Sequence, residues 1–122
     1  MPFNNSTSIY LQIAGLVEDN ILKNILLEEE QAPSTNEMAR LYSINPATAA
    51  KGLNLLADEG ILYKKRGLGM FVATGAKEII HQKRRNALYQ NYVRPLAAEA
   101  KALDISQQQL AEMLQKALGE TE

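Results

Sequence analysis

Lys64-Lys65-Arg66-Gly67-Leu68-Gly69 sets three cations beside two glycines. Cations attract a polyanion, and glycines permit φ > 0 and close approach of the backbone to another surface. Upstream, Ala47, Thr48, Lys51 and Asn54 recur at spacings that share one side of a helix, a small polar face with one cation. The chemistry open to such residues is non-covalent: ion pairing, hydrogen bonding and apolar contact. The chain has no cysteine, hence no thiol nucleophile, thiolate zinc site or disulfide framework, which agrees with a reducing cytosol. Its single histidine, His81, rules out a three-histidine metal site and reads as a surface or contact residue. Without a paired acid and base in a recognisable pocket motif, no enzyme, metal or cofactor is expected.

Charge is distributed unevenly. The net charge of −1 argues weakly against non-specific nucleic-acid binding, but residues 34–72 hold five cations against three anions while residues 1–33 hold one against five. The cations therefore gather where the candidate contact residues lie. Glu28-Glu29-Glu30 reads as a solvated loop.

These residues need elements to hold them. Asn45 is a good N-cap and Pro46 suits the first helical position, since its missing N–H would be unpaired there anyway. Ala49, Leu53 and Leu56 then form an apolar stripe opposite Thr48 and Lys51, and Gly60 supplies a left-handed terminator. Beyond it the apolar period falls from near 3.6 to near 2, through Ile61 to Tyr63 and Met70 to Val72, so the cationic segment is the turn of a hairpin. Before it, Ser34 or Thr35 caps a short helix in which Glu37 stands at capping-box distance from Ser34, and Ser43-Ile44-Asn45 makes the turn. An earlier helix, capped by Ser8 or Thr7, keeps Ile9, Ile13, Leu16 or Val17, Ile21 and Ile25 on one face. Two short helices joined by a tight turn and followed by a basic hairpin make a winged helix-turn-helix, with the helix at Pro46 best placed to enter a major groove.

The run APSTNEMARLYSINPATAAKGLNLLADEGILYKKRGLGMFV resembles the winged helix-turn-helix of the GntR family of bacterial transcription regulators. The likeness rests on Pro33-Ser34, Glu37, Ala39, Asn45, Thr48, Leu53, Leu56, Glu59-Gly60 and Gly67-x-Gly69-x-Phe71-Val72, with Ser8 to Ile13 similar to the family's first-helix signature. The short tail resembles the YtrA-like subgroup. The resemblance implies double-stranded DNA as partner and DNA-facing roles for Ser34, Thr35, Asn36, Asn45, Pro46, Ala47, Thr48, Lys51, Arg66, Gly67 and Gly69. Hydroxyls and helix N-terminal N–H groups suit phosphates, Ala47 and Thr48 a thymine methyl, Lys51 a guanine or phosphate, and Arg66 a minor groove. Simpler roles compete: Ser34 and Asn45 as helix caps only, Gly67 and Gly69 as hairpin glycines only. Two departures stand out, Asn36 for the family arginine and Ala32 for the leucine before Pro33. Asn36 forfeits charge and the bidentate match to guanine.

After Thr74-Gly75, residues 76–105 read as helix that Pro95 kinks or splits, followed by a helix capped by Ser106 and ended by Gly119. Tyr89 reads as packing. Ile79, Ile80, Leu88, Tyr92, Val93, Leu96 and Leu103 form the expected interface between two copies, more apolar surface than so small a remainder can cover. The expected architecture is mainly α with a small β-hairpin wing: residues 1–73 as the DNA-binding domain and residues 74–122 as a helical dimerisation region. The function expected is a homodimeric, sequence-specific transcription regulator, a repressor, on a palindromic operator. The alternative is a winged-helix module that binds proteins and no longer DNA. A small-molecule effector is left open as a further partner, its identity not given by the residues. The opening MPFNNSTS lacks a signal-peptide pattern and no apolar run approaches the roughly 20 residues of a membrane span, so a soluble cytoplasmic protein is expected.

Overall fold

The computed structural model describes residues 8–121. In chain order these form α1 (Ile9–Leu22), α2 (Thr35–Tyr42), α3 (Pro46–Asp58), β1 (Leu62–Lys65), β2 (Gly69–Val72), α4 (Ala76–Leu88), α5 (Arg94–Ala102) and α6 (Gln107–Glu120). By packing, the chain divides between Gln82 and Lys83, inside α4.

The first unit is built on a core of Ile13, Val17 and Ile21 from α1, Met38 from α2, Ala49, Leu53 and Leu56 from α3, and Ile61, Leu62 and Val72 from the hairpin and the residue before it. Burying one such aliphatic side chain contributes about 1.5–3 kcal/mol, so this cluster dominates the stability of the unit. Ala76 and Ile80 join it from α4. Ile79 packs against the cluster and Ile80 is fully buried in it. This corrects the expectation that Ile80 faces a second copy, since its apolar area is used within the protomer, whereas Ile79 is half-buried.

Local signals place the helix ends. Gly60, at φ +78°, closes α3: the Ile61 N–H donates to the Leu56 carbonyl and that of Gly60 to Ala57, as the sequence predicts. Asn24, at φ +60°, ends α1 in the same way, through Ile25 N–H to Asn20 and Asn24 N–H to Ile21. Ile25 thus leaves the apolar face on which it was expected and is 68% exposed. Ser8 makes no side-chain cap bond, and Thr7, the other expected cap, lies outside the described residues.

The segment before α2 is not a free loop. Glu29 N–H donates to Val72, Val72 N–H to Glu30 and Ala32 N–H to Met70, so residues 29–32 run antiparallel along β2. The Glu29 carboxylate accepts from the hydroxyls of Tyr63 and Thr74, and Glu28 accepts from the Gly75 N–H. These glutamates are exposed, as expected, but they tie the hairpin base to the α1–α2 connection.

In the second unit Pro95 does not break the helix. It lacks the N–H that would bond the carbonyl four residues back, and the chain widens into a π-helical turn over Tyr89–Val93, with the Arg94 N–H bonded to Tyr89. Ser106 caps α6 in a capping box with Gln109, but Gly119 lies inside that helix rather than ending it. Leu88, Tyr89, Tyr92, Val93, Leu96 and Leu103 are all exposed.

Candidate nucleic-acid interface

Ser34 starts α2 with both halves of a capping box: its Oγ accepts from the Glu37 N–H at 3.1 Å, and a Glu37 carboxylate oxygen accepts from the Ser34 N–H at 3.0 Å. The backbone bond from Ser34, then its hydroxyl, holds the Glu37 carboxyl below its ordinary range. Both the N–H and the hydroxyl of Ser34 thus serve the α2 cap. Thr35 is half-buried beside it and Asn36 is exposed.

Asn45 caps α3, its Oδ1 accepting from the Ala47 N–H at 2.7 Å, which leaves the amide NH₂ uncommitted to the cap. Pro46 takes the first helical position. With Ala49, Leu53 and Leu56 buried, the helix turns Pro46, Ala47, Lys51 and Asn54 outward, while Thr48 is half-buried. Lys51 Nζ lies 4.0 Å from the centroid of the Tyr10 ring on α1.

The hairpin pairs Leu62 with Val72, Tyr63 with Phe71, Lys64 with Met70 and Lys65 with Gly69. Gly67 and Gly69 sit at φ +79° and +110°, so the turn itself requires both. Alternation along the strands gives the wing two faces. Tyr63, Lys65 and Phe71 share the outer one, where Lys65 Nζ lies 4.2 Å from the Phe71 ring centroid. Lys64 falls on the other with Leu62 and Met70. Gln31 supports the tip, its Nε2 donating to the Leu68 carbonyl at 2.6 Å. Among the described residues neither Lys64 nor Arg66 has a carboxylate partner.

The three elements meet around a groove of about 320 Å³ bordered by Ser34 and Thr35 of α2, Ala50 and Asn54 of α3, and Lys64 and Gly69 of the wing. On the other side of the outward face of α3, Ala47, Lys51, Asn54 and Asp58 border a shallow hollow of about 500 Å³ with Tyr10. Of the expected site residues, Ser34, Thr35, Gly69, Ala47 and Lys51 line these concavities; Asn36, Asn45, Pro46, Thr48, Arg66 and Gly67 line neither. Asn54, Lys64, Tyr10 and Gln31 were not among the expected contacts. Spacing offered the first two, since Asn54 follows Lys51 by three residues and Lys64 follows Leu62 by two; the others depend on tertiary packing. Donors and cations without a paired base suit contact with phosphate and base edges rather than catalysis. Among the described residues no cluster of metal-ligating side chains occurs and no helix is long and apolar enough to cross a membrane.

Comparison with known proteins agrees with this geometry. The chain is 36% identical over 73 residues to the HTH-type transcriptional repressor YtrA of Bacillus subtilis, a match covering 60% of this chain and 56% of that protein. It thus spans little more than half of that relative. A crystal structure of a GntR-family putative transcriptional regulator from Bacteroides thetaiotaomicron superposes with a TM-score of 0.79 at 32% identity, over 93% of this chain and 99% of that one. The DNA-binding domain of AraR, solved in complex with operator ORX1, aligns with a TM-score of 0.52 at 26% identity, over 58% of this chain and 92% of that one. Residues 9–72, from the first helix to the last strand of the wing, match the model of the bacterial regulatory proteins of the gntR family, and the chain is therefore a member of that family of DNA-binding transcription regulators.

Proposed function

We propose that the chain is a repressor that binds a palindromic operator as a homodimer. The observation that carries the reading is the meeting of the α2 N-terminus, the outward face of α3 and the inner face of the wing around one groove, with Lys64 exposed along it and Lys51 exposed on the adjoining hollow of the same α3 face. A major groove about 12 Å wide admits one helix, and α3 buries Ala49, Leu53 and Leu56 while turning Ala47, Lys51 and Asn54 outward. One winged unit reads only a few base pairs, so discrimination within a genome calls for two copies with half-sites about one helical turn apart. The exposed Leu88, Tyr92, Val93, Leu96 and Leu103 of the second unit supply an apolar face for that pairing. On the DNA side, Ser34, Thr35, Asn36 and Asn45 are assigned to phosphates and sugars, Ala47, Thr48 and Lys51 to base edges, and Arg66 with Gly67 and Gly69 to the neighbouring minor groove.

The test is selection of duplexes from a random pool by the full-length chain, followed by binding against salt concentration. A two-fold symmetric consensus, with affinity falling linearly in logarithmic salt, is expected. Recovery of no consensus, or an asymmetric single half-site, would overturn the reading. Blocked transcription from a promoter carrying the selected site separates repressor from activator.

A further inference from the structure

Tyr10 belongs to α1, outside the helix-turn-helix and the wing, yet its ring faces the Lys51 ammonium at 4.0 Å from centroid to Nζ. The helix backbones make this meeting possible. Gly52, next to Lys51, is buried, and a Cβ built on it would stand 2.8 Å from the Tyr10 carbonyl oxygen and 2.9 Å from Ile13 Cγ2. Such distances allow no side chain, so Gly52 marks the point where α3 closes onto α1, and that closeness sets the Tyr10 ring beside the exposed edge of Lys51. Lysine carries its charge on a flexible four-carbon stem. On an open helix face the ammonium would sweep a wide arc; against the negative face of an aromatic ring it is held to one side.

Resting on the DNA-binding reading above, we infer that Tyr10 is a positioning residue for Lys51. It fixes the ammonium on the α1 side of the reading helix, at the rim of the hollow shared with Ala47 and Asn54, before DNA arrives. Preorganisation of this kind lowers the ordering cost of the contact. An exposed cation–π pair corresponds to roughly a two- to five-fold effect on affinity. Tyr10 thereby joins the specificity machinery of a surface to which α1 otherwise contributes only packing.

The experiment uses the full-length chain, with a duplex selected by the wild type as probe and an unselected duplex of equal length as reference. Tyr10→Phe keeps the ring and should bind as wild type does. Tyr10→Leu keeps apolar contact but removes the ring, and should lose about two- to five-fold on the selected duplex with less change on the reference. In a Lys51→Ala background Tyr10→Leu should cost nothing further. Without DNA, the Lys51 Hε resonances should be shifted upfield by the ring in wild type and Tyr10→Phe and return to ordinary positions in Tyr10→Leu. Equal losses in Tyr10→Phe and Tyr10→Leu would overturn the inference in favour of a direct contact by the hydroxyl. An undiminished Tyr10→Leu effect in the Lys51→Ala background, or ordinary Hε positions in wild type, would also overturn it. If Lys51→Ala leaves affinity unchanged while the Hε shift is present, the DNA role of Lys51 fails instead, and the inference falls with it.

Discussion

Gln31 and Leu68, far apart in sequence, are joined by a hydrogen bond of 2.6 Å from the Gln31 amide to the Leu68 carbonyl, which fastens the wing tip to the α1–α2 connection. Gly69 fits this arrangement twice over: its φ of +110° excludes most side chains, and a Cβ there would crowd Gln31 Nε2 at 3.1 Å. The segment that carries Gln31 also lies along β2 through an isolated bridge to Phe71, so the two-stranded wing is flanked by the α1–α2 connection and Gln31 braces its outermost turn.

That brace is testable. Gln31→Ala should leave the core intact and loosen the tip, since an exposed hydrogen bond contributes only about 0.5–1.5 kcal/mol. Amide exchange at Leu68 and Gly69 should accelerate, while that of Leu53 and Leu56 stays as in wild type. Unaltered exchange at the tip would mean that strand pairing alone holds it.

The two faces of the wing make its cations unequal. Lys64→Ala and Arg66→Ala should each lower the slope of logarithmic affinity against logarithmic salt by about 0.9, the signature of one cation fewer neutralising the duplex. Lys65→Ala should leave the slope nearly unchanged, because its ammonium lies against Phe71 on the outer face. Equal slopes for all three variants would show that charge near the tip matters and position does not.

Acid stability should report the ties of Glu29. Hydrogen bonds from the Thr74 hydroxyl, then from Tyr63, lower the pKa of Glu29 from its ordinary 4.5, and the bond to Glu29 raises that of Tyr63 above 10.0. A carboxyl with a depressed folded-state pKa binds fewer protons folded than unfolded, so its contribution is complete above the ordinary value and is lost as pH falls through the folded one. Tyr63 has the opposite sense: its contribution is complete below its ordinary value and disappears as pH rises through the raised one. Glu29→Gln should therefore flatten the melting-temperature profile below about pH 4.5 and again above about pH 10. A profile parallel to wild type at both ends would remove Glu29 from the stability of the hairpin base.

What the residues disclosed in advance was local. Ser34 with Glu37, Asn45 with Pro46, and Gly60 each announce a helix boundary through bonds within a few positions, and each stands where its chemistry requires. The apolar stripe of Ala49, Leu53 and Leu56 likewise fixed which side of α3 faces outward. Contacts between distant segments left no periodic trace. Nothing in Glu28-Glu29-Glu30 foretells Tyr63, Thr74 or Gly75 as partners, and Gly52 looks like an ordinary weak point in a helix until α1 is seen against it. Asn24 was missed because asparagine is a less common left-handed terminator than glycine.

The burial of Ile80 changes how dimerisation should be tested. Truncation near Ala73 would remove Ala76 and Ile80 from the winged core, so loss of DNA binding in such a variant would confound unfolding with loss of pairing. Substitutions confined to the exposed face avoid this. Leu88 and Leu96 lie outside the winged core and are 54% and 37% exposed. Leu88→Glu combined with Leu96→Glu should turn a full-length dimer into a monomer at tens of micromolar by light scattering, because charges on a desolvated apolar face are costly. The melting of the winged unit should be unchanged. Affinity for a two-fold symmetric duplex should fall roughly 100-fold or more as the second half-site ceases to be an intramolecular event, whereas affinity for a single half-site should hold. A wild-type chain that is already monomeric, or a charged variant that still pairs, would assign this face to something other than a second copy.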